Sequence, residues 1–422
     1  MQSSSVIFFI PLCILIAYSL IRPLFSKDKA LIWCPITFIS LTLVYYIIVP
    51  SFGEFKSFGS ANSPNQWLFY FGSLLFYACI LLSFRKTKET EFSKWNGLFN
   101  MNNVQTIAIV LFVLAMVCYV PFRGFRTSIS VDDSTVVSAR TGLVSYFIDL
   151  ISLCVGACCL ALVGLYNSKG LGVKKRIVIF VILYFTIILF IVGGFRYRIV
   201  ILLLAMATTY HLYPSPRKIN YTVFVPIGII AYLGFAIMDK SRNYGRGIDM
   251  DVAKTISITK ASKGAMESDL VFCFSIATFD EYYSNGDYEG IEPITTAVCM
   301  PIPRVIFEDK PDGQYLKNVQ DRIIGNHLSG CAYLVHAEAY AALGMIGVIL
   351  YGLFIGWLSK KVWSNYSNNP DSIGAIILLA LFNGFCYAWI SRGYMAASFT
   401  NFIYYVFLPF WLTGLIKKIN NI

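Results

Sequence analysis

A histidine and a glutamate two residues apart, His336 and Glu338, stand at the head of the run Tyr333-Leu-Val-His-Ala-Glu-Ala-Tyr-Ala-Ala-Leu-Gly-Met-Ile-Gly347. The run continues into a stretch long enough to span a bilayer, where a carboxylate is costly unless it faces a polar cavity. Glu338 is therefore the candidate general base and His336 a hydrogen-bonding or orienting group. The reverse assignment stays open, because imidazole has the better intrinsic pKa for the task. On a regular helix the two side chains point about 200° apart, so they do not share one proton. The structural alternative is a Glu338 paired with an arginine for packing alone.

Four arginines form the second group. Arg196 and Arg198 follow two glycines in Val192-Gly-Gly-Phe-Arg-Tyr-Arg-Ile199. Arg304 follows two prolines in Cys299-Met-Pro-Ile-Pro-Arg-Val-Ile-Phe-Glu-Asp-Lys-Pro311, and Arg392 sits in the turn Ser391-Arg-Gly393. A planar, permanently charged guanidinium suits two-point contact with phosphate or carboxylate oxygens. The bland reading is an interfacial anchor, with Tyr197 in an aromatic belt.

The elements that must position these residues are membrane spans. Of 422 residues 57% are hydrophobic and 14% charged, and the mean hydropathy is +0.65, which excludes an ordinary soluble protein. Runs of spanning length recur eleven times, near 5–24, 31–50, 66–84, 104–122, 142–166, 177–195, 199–213, 221–238, 333–358, 373–390 and 395–416,. The seventh is short. The first lacks a basic leader and a small-residue cleavage site, so it reads as a retained span. The expected fold is an all-α polytopic membrane protein with about 11 transmembrane helices: eight in 1–238, a large outer loop over 239–332, and three in 333–422.

The net charge of +11 is gathered at span ends, the pattern of topology and not of nucleic-acid binding. One set of loops holds 17 Lys and Arg and the other set 7 in its short loops, which puts the N-terminus and 239–332 outside and Lys417-Lys418 inside. The inner set is 13 Lys to 4 Arg, the outer set 7 Lys to 10 Arg. Charge alone needs only lysine, so the outer excess of arginine points to an outward-facing, phosphate-bearing ligand.

The loop carries 14 acidic residues against 10 basic ones. In it, Asp251 to Met266 suits a surface helix, and Leu270 to Phe279 is an apolar run too short to span that packs on the membrane part or re-enters it. Prolines 293, 301, 303 and 311 are expected to leave the rest irregular. The eleven cysteines show no ligand spacing with histidine, so neither a metal, a cofactor nor a disulfide framework is expected.

The run Pro301 to Pro311, Gly325-Asn326, His336-Ala-Glu338-Ala-Tyr340 leading into Gly344-Met-Ile-Gly347, and the turn Gly193-Gly-Phe-Arg196 resemble the oligosaccharide repeat-unit polymerases, the Wzy-type O-antigen polymerases. The resemblance covers the multi-span architecture and, in motifs, residues 190 to 360. Some members carry Arg with Gly eleven positions later in two outer loops; no outer Arg here has that spacing, so those loop roles do not carry over.

The resemblance implies a GT-C-like glycosyltransferase of the bacterial inner membrane, joining undecaprenyl-pyrophosphate-linked repeat units on the periplasmic face. It implies pyrophosphate at the outer arginines and, as a partner, a chain-length-regulating polysaccharide co-polymerase. A sibling O-antigen ligase uses the same donor. A flippase of the same lipid would show two related halves or paired broken helices, and no such repeat is visible in the sequence.

Overall fold

The computed structural model describes residues 3–52, 63, 65–130, 143–166, 173–194, 196–220, 250–255, 267–311, 315 and 332–420, with isolated positions between 222 and 249. It is 79% helical. Its strands are two residues each, β1 (Arg242–Asn243) and β2 (Gly247–Ile248), paired antiparallel.

The principal helices are α1 (Ser3–Leu24), α2 (Pro35–Leu43), α3 (Gln66–Lys86), α4 (Val104–Arg123), α5 (Leu143–Tyr166), α6 (Val173–Val192) and α7 (Arg196–Leu212). There follow α8 (Glu267–Asn285), α9 (Glu292–Cys299), α10 (Val335–Asn368), α11 (Ile373–Ser391) and α12 (Met395–Lys418). Among the described residues seven of these are long and apolar enough to cross a membrane: α1, α3, α4, α5, α10, α11 and α12. Each coincides with an apolar run of the sequence, because length and hydropathy are what a bilayer demands. The run at 31–50 becomes a shorter apolar helix, Pro35–Ser51, with a π turn over Val44–Ile48. The sixth and seventh runs become α6, of 20 residues, and α7, of 17. Most of 221–238 lies outside the described residues.

Two compact units divide the chain. The first comprises Met1–Glu91, Ala265–Asn368 and Cys386–Phe402. Within it α10 lies along α3, and α1 and α8 pack against α3 as well. The approach of α10 is close: a Cβ on Gly352 would come 2.7 Å from the Phe76 carbonyl oxygen, and one on Gly356 would come 2.3 Å from that of Ile80. Small residues four apart let two backbones meet where lipid supplies no hydrophobic force between helices. The second unit comprises Phe92–Gly264, Asn369–Phe385 and Ile403–Ile422. Its centre is α5, fully buried from Leu153 to Ala161, with α4, α6 and α7 packed on it.

The apolar run Leu270 to Phe279 packs on the membrane part as expected: it is the middle of the 19-residue α8, which lies against α3 and α10 with Val271, Phe272, Ile276 and Phe279 buried. One expectation for the large loop changes. Pro293 does not break a helix but begins one, α9, where it sits in the first turn; a proline there loses no hydrogen bond and its fixed φ fits. Of the helix expected from Asp251 to Met266, Met250–Thr255 is helical and 256–266 lies outside the described residues.

Candidate functional site: a buried carboxylate at a broken span

The apolar run that carries Glu338 is not one smooth helix. Leu343 (φ −135°, ψ 21°) and Gly344 (φ 62°, ψ −148°) leave helical geometry, so residues 335–342 form a half-helix set off from the long span that follows. The conformation at Gly344 is essentially open only to glycine. Buried carbonyls at the end of a half-helix need donors. The loop after α8 supplies them: Glu289 N–H donates to the Ala341 oxygen at 3.0 Å and Gly290 N–H to the Ala342 oxygen at 2.9 Å. At the other end Leu334 N–H donates to Ser275 Oγ of α8 at 2.8 Å.

Glu338 is fully buried in this half-helix and both its oxygens are engaged. The Tyr315 hydroxyl donates to Oε1 at 2.6 Å, and the backbone N–H of Met395 donates to Oε2 at 2.7 Å. Met395 opens α12, so the carboxylate caps a helix N-terminus, where the peptide dipoles favour negative charge. Tyr315 is itself held, its N–H donating to Glu292 Oε1 in the first turn of α9 at 3.3 Å. Burial, and then the Glu338 carboxylate, push the Tyr315 hydroxyl far up from its ordinary range, so it stays protonated as the donor. Phenols surround the pair: the Tyr394 ring lies 6.3 Å from that of Tyr315, and the buried hydroxyl of Tyr333 has no hydrogen-bond partner among the described residues.

His336 faces the other way. Its ring lies 5.2 to 5.9 Å from those of Phe76, Phe69 and Phe279, and Nε2 is 2.9 Å from Ser73 Oγ. Ser73 spends its own hydrogen on the Phe69 carbonyl oxygen at 2.8 Å, so Nε2 is assigned as the donor. The 200° separation expected from the sequence thus divides the two candidates between a polar cluster and an aromatic box.

The four arginines fall in both units. In the second, Arg196 starts α7, Phe195 lies outside the described residues, and the buried Arg198 donates from Nη2 to Asp149 Oδ1 at 3.0 Å and from Nε to the Tyr197 hydroxyl at 3.3 Å. In the first, Arg392 pairs with Glu267 at the start of α8. Arg304 is exposed, with Nη1 donating to the Glu308 carbonyl oxygen at 3.1 Å. Lys310, from the same loop run, is the buried cation there, its Nζ donating to the carbonyl oxygens of Ile302 at 2.7 Å and Met300 at 3.2 Å. Arg322, Gly325, Asn326, His327 and Gly330 lie outside the described residues.

Glu338, Arg304 and Arg392 therefore belong to one unit, and the sequence reading missed the groups that actually touch Glu338. Tyr315 lies 23 residues away and Met395 lies 57 away, and neither carries a local signal of its role. Family models, proteins of known function and solved structures give no match to this chain.

Proposed function

We propose that this chain is a Wzy-type O-antigen polymerase. In this reading it is a glycosyltransferase of the bacterial inner membrane, with a GT-C-like arrangement of spans and 239–332 facing the periplasm. It joins undecaprenyl-pyrophosphate-linked oligosaccharide repeat units, with a chain-length-regulating co-polymerase as a partner. The observation that carries the proposal is Glu338: a buried carboxylate in a half-helix, accepting a hydrogen bond from a hydroxyl that the large loop brings in.

That hydroxyl belongs to Tyr315, and the acceptor sugar's hydroxyl takes its place during reaction. Glu338 then accepts the proton as the hydroxyl oxygen attacks the anomeric carbon. The bond to pyrophosphate breaks on the opposite face, inverting the configuration. Pyrophosphate is already a good leaving group, so the remaining task is to hold the charge that develops on it. We assign that task to the outer arginines that share the unit of Glu338, Arg304 and Arg392; Arg392 takes it up by exchanging Glu267 for phosphate oxygens. His336, inside its aromatic box, fixes the half-helix against α3 and so orients Glu338.

The break at Gly344 favours one second reading, since broken helices line the sites of transporters, such as a flippase for the same lipid. One experiment separates the candidates. A deletion strain is complemented with wild type or Glu338→Gln, and its lipopolysaccharide is resolved by size. A polymerase gives loss of the ladder with one repeat unit retained, in the deletion and in Glu338→Gln alike. Loss of all O-antigen would instead mean a ligase or a flippase, and a normal ladder from Glu338→Gln would remove Glu338 as base.

A further inference from the structure

The surface of α9 is inverted relative to that of a helix on a water-soluble domain. Its inward face is Pro293, Thr296 and Ala297, with the Thr296 hydroxyl buried and without a partner among the described residues. Its outward face shows Ile294, Thr295 and Val298, flanked by the exposed Ile291. Helices that face water bury their branched apolar residues, whereas here Ile294 and Val298 are exposed and the hydroxyl of Thr296 is buried. The inversion continues past the helix, where Val305 is 76% exposed and Ile306 77%.

Two observations say what covers this face. Ala297 is packed in one buried cluster with Ala339, Met395 and Ala396, and Met300 packs on it. Met395 and Ala396 are the first residues of the spanning helix α12, so α9 lies at the level where a span enters the membrane. Further along the same helix Phe399 is exposed as well. The charge pattern agrees: residues 293–303 contain no charged side chain, and the first to follow is the exposed Arg304. An apolar face with a basic residue at its rim is the signature of an element lying in the membrane interface.

We propose that residues 291–307 form an interfacial membrane element. The occupant of its outward face is the bilayer: Ile291, Ile294, Val298, Val305 and Ile306 enter the acyl region of the adjacent leaflet, and Arg304 lies level with the lipid phosphates. This assignment stands apart from the polymerase reading, since any membrane protein with this surface would seat it the same way. It changes the character of the large loop, which is then anchored in lipid at the segment whose Glu292 holds Tyr315.

The test uses the full chain in nanodiscs of phosphatidylethanolamine and phosphatidylglycerol, with a genetically encoded environment-sensitive fluorescent residue at Val305, at Ile306, or, as an aqueous control, at Asp251. Both apolar positions are exposed, so the probe displaces no packing. Positions 305 and 306 should emit to the blue of 251, lose most of their emission to lipids brominated near the headgroup, and resist aqueous iodide. The control should show the opposite pattern. Iodide quenching at 305 and 306 without bromolipid quenching would overturn the proposal. So would protection from both quenchers, which would mean that protein, a second copy included, covers the face.

Discussion

Replacing Gly347 by alanine tests whether the half-helix must sit where it does. A Cβ at this position would come 2.0 Å from the Ala339 carbonyl oxygen, 3.0 Å from the Ala339 carbonyl carbon and 3.2 Å from Leu343 Cβ. Ordinary carbon–oxygen contact needs more than 3 Å, so the two backbones must part by about 1 Å, and no flexible side chain can absorb that movement. Ala339 follows Glu338 directly. A displacement of that size would stretch the bonds from Tyr315 and Met395, now 2.6 and 2.7 Å, beyond useful hydrogen-bond length. Overpacking of this kind costs about 1 to 3 kcal/mol before those bonds are counted.

Gly164→Ala is the control. Gly164 lies in α5 with nothing within 4 Å of its prospective Cβ, so there alanine should be neutral or stabilising by about 0.5 to 1 kcal/mol, as in any helix interior. Thermal unfolding of the purified proteins and ladder length in complemented cells give the two readouts. Gly347→Ala should lower the midpoint and shorten or abolish the ladder, while Gly164→Ala should do neither. A wild-type midpoint and a wild-type ladder from Gly347→Ala would refute the placement of residues 335–342 against the span that follows.

Three further outcomes are expected. Tyr315→Phe leaves a buried carboxylate with one donor in place of two and should cost about 1 to 3 kcal/mol in thermal unfolding; no loss would mean that Glu338 does not depend on Tyr315 for its hydrogen bonding. Asp149→Asn removes the charge partner of the buried Arg198 and should destabilise by a similar ~1 to 3 kcal/mol, read by the same melt, whereas an unchanged midpoint would show the pair to be idle. His336→Phe keeps the aromatic box and leaves Ser73 bonded to Phe69, so the ladder should persist; its loss in a folded variant would return His336 to the chemistry.

Among the described residues, seven of the eleven expected spans were legible as helices long enough to cross, because the bilayer imposes one requirement, a long apolar run, and that requirement is written locally. Glu338 was legible for the same reason, as a carboxylate where hydrocarbon makes charge expensive. The bend beside it was not. Gly344 and Gly347 read equally well as small residues for close packing, and both pack closely, Gly347 on Ala339 and Gly344 on the Tyr288 ring; Gly344 also turns the chain at a positive φ, which residue type allows but does not demand. Pro293 misled because proline's effect depends on its place in a helix, and sequence alone did not place it. The arginines were visible as charges, but their partners lie 49 residues away for Arg198 and 125 for Arg392, separations at which no spacing rule operates.

The break in α10 and the large loop explain each other. A half-helix ending inside a membrane protein exposes carbonyl groups that neither lipid nor the next turn can satisfy, and a loop with 24 charged residues among its 94 needs ties to the membrane part to hold its place. Residues 289 and 290 resolve the first difficulty by donating to Ala341 and Ala342, while Tyr288 packs its ring beside the bend at Gly344. Tyr315 and Glu292 resolve the second by tying the loop to Glu338. Glu338 is where three stretches of chain meet: its own half-helix, the loop through Tyr315, and the start of α12 through Met395. A carboxylate so placed registers the fit of all three, which is why a single substitution eight residues from Ala339, with no contact to the carboxylate itself, is expected to reach it.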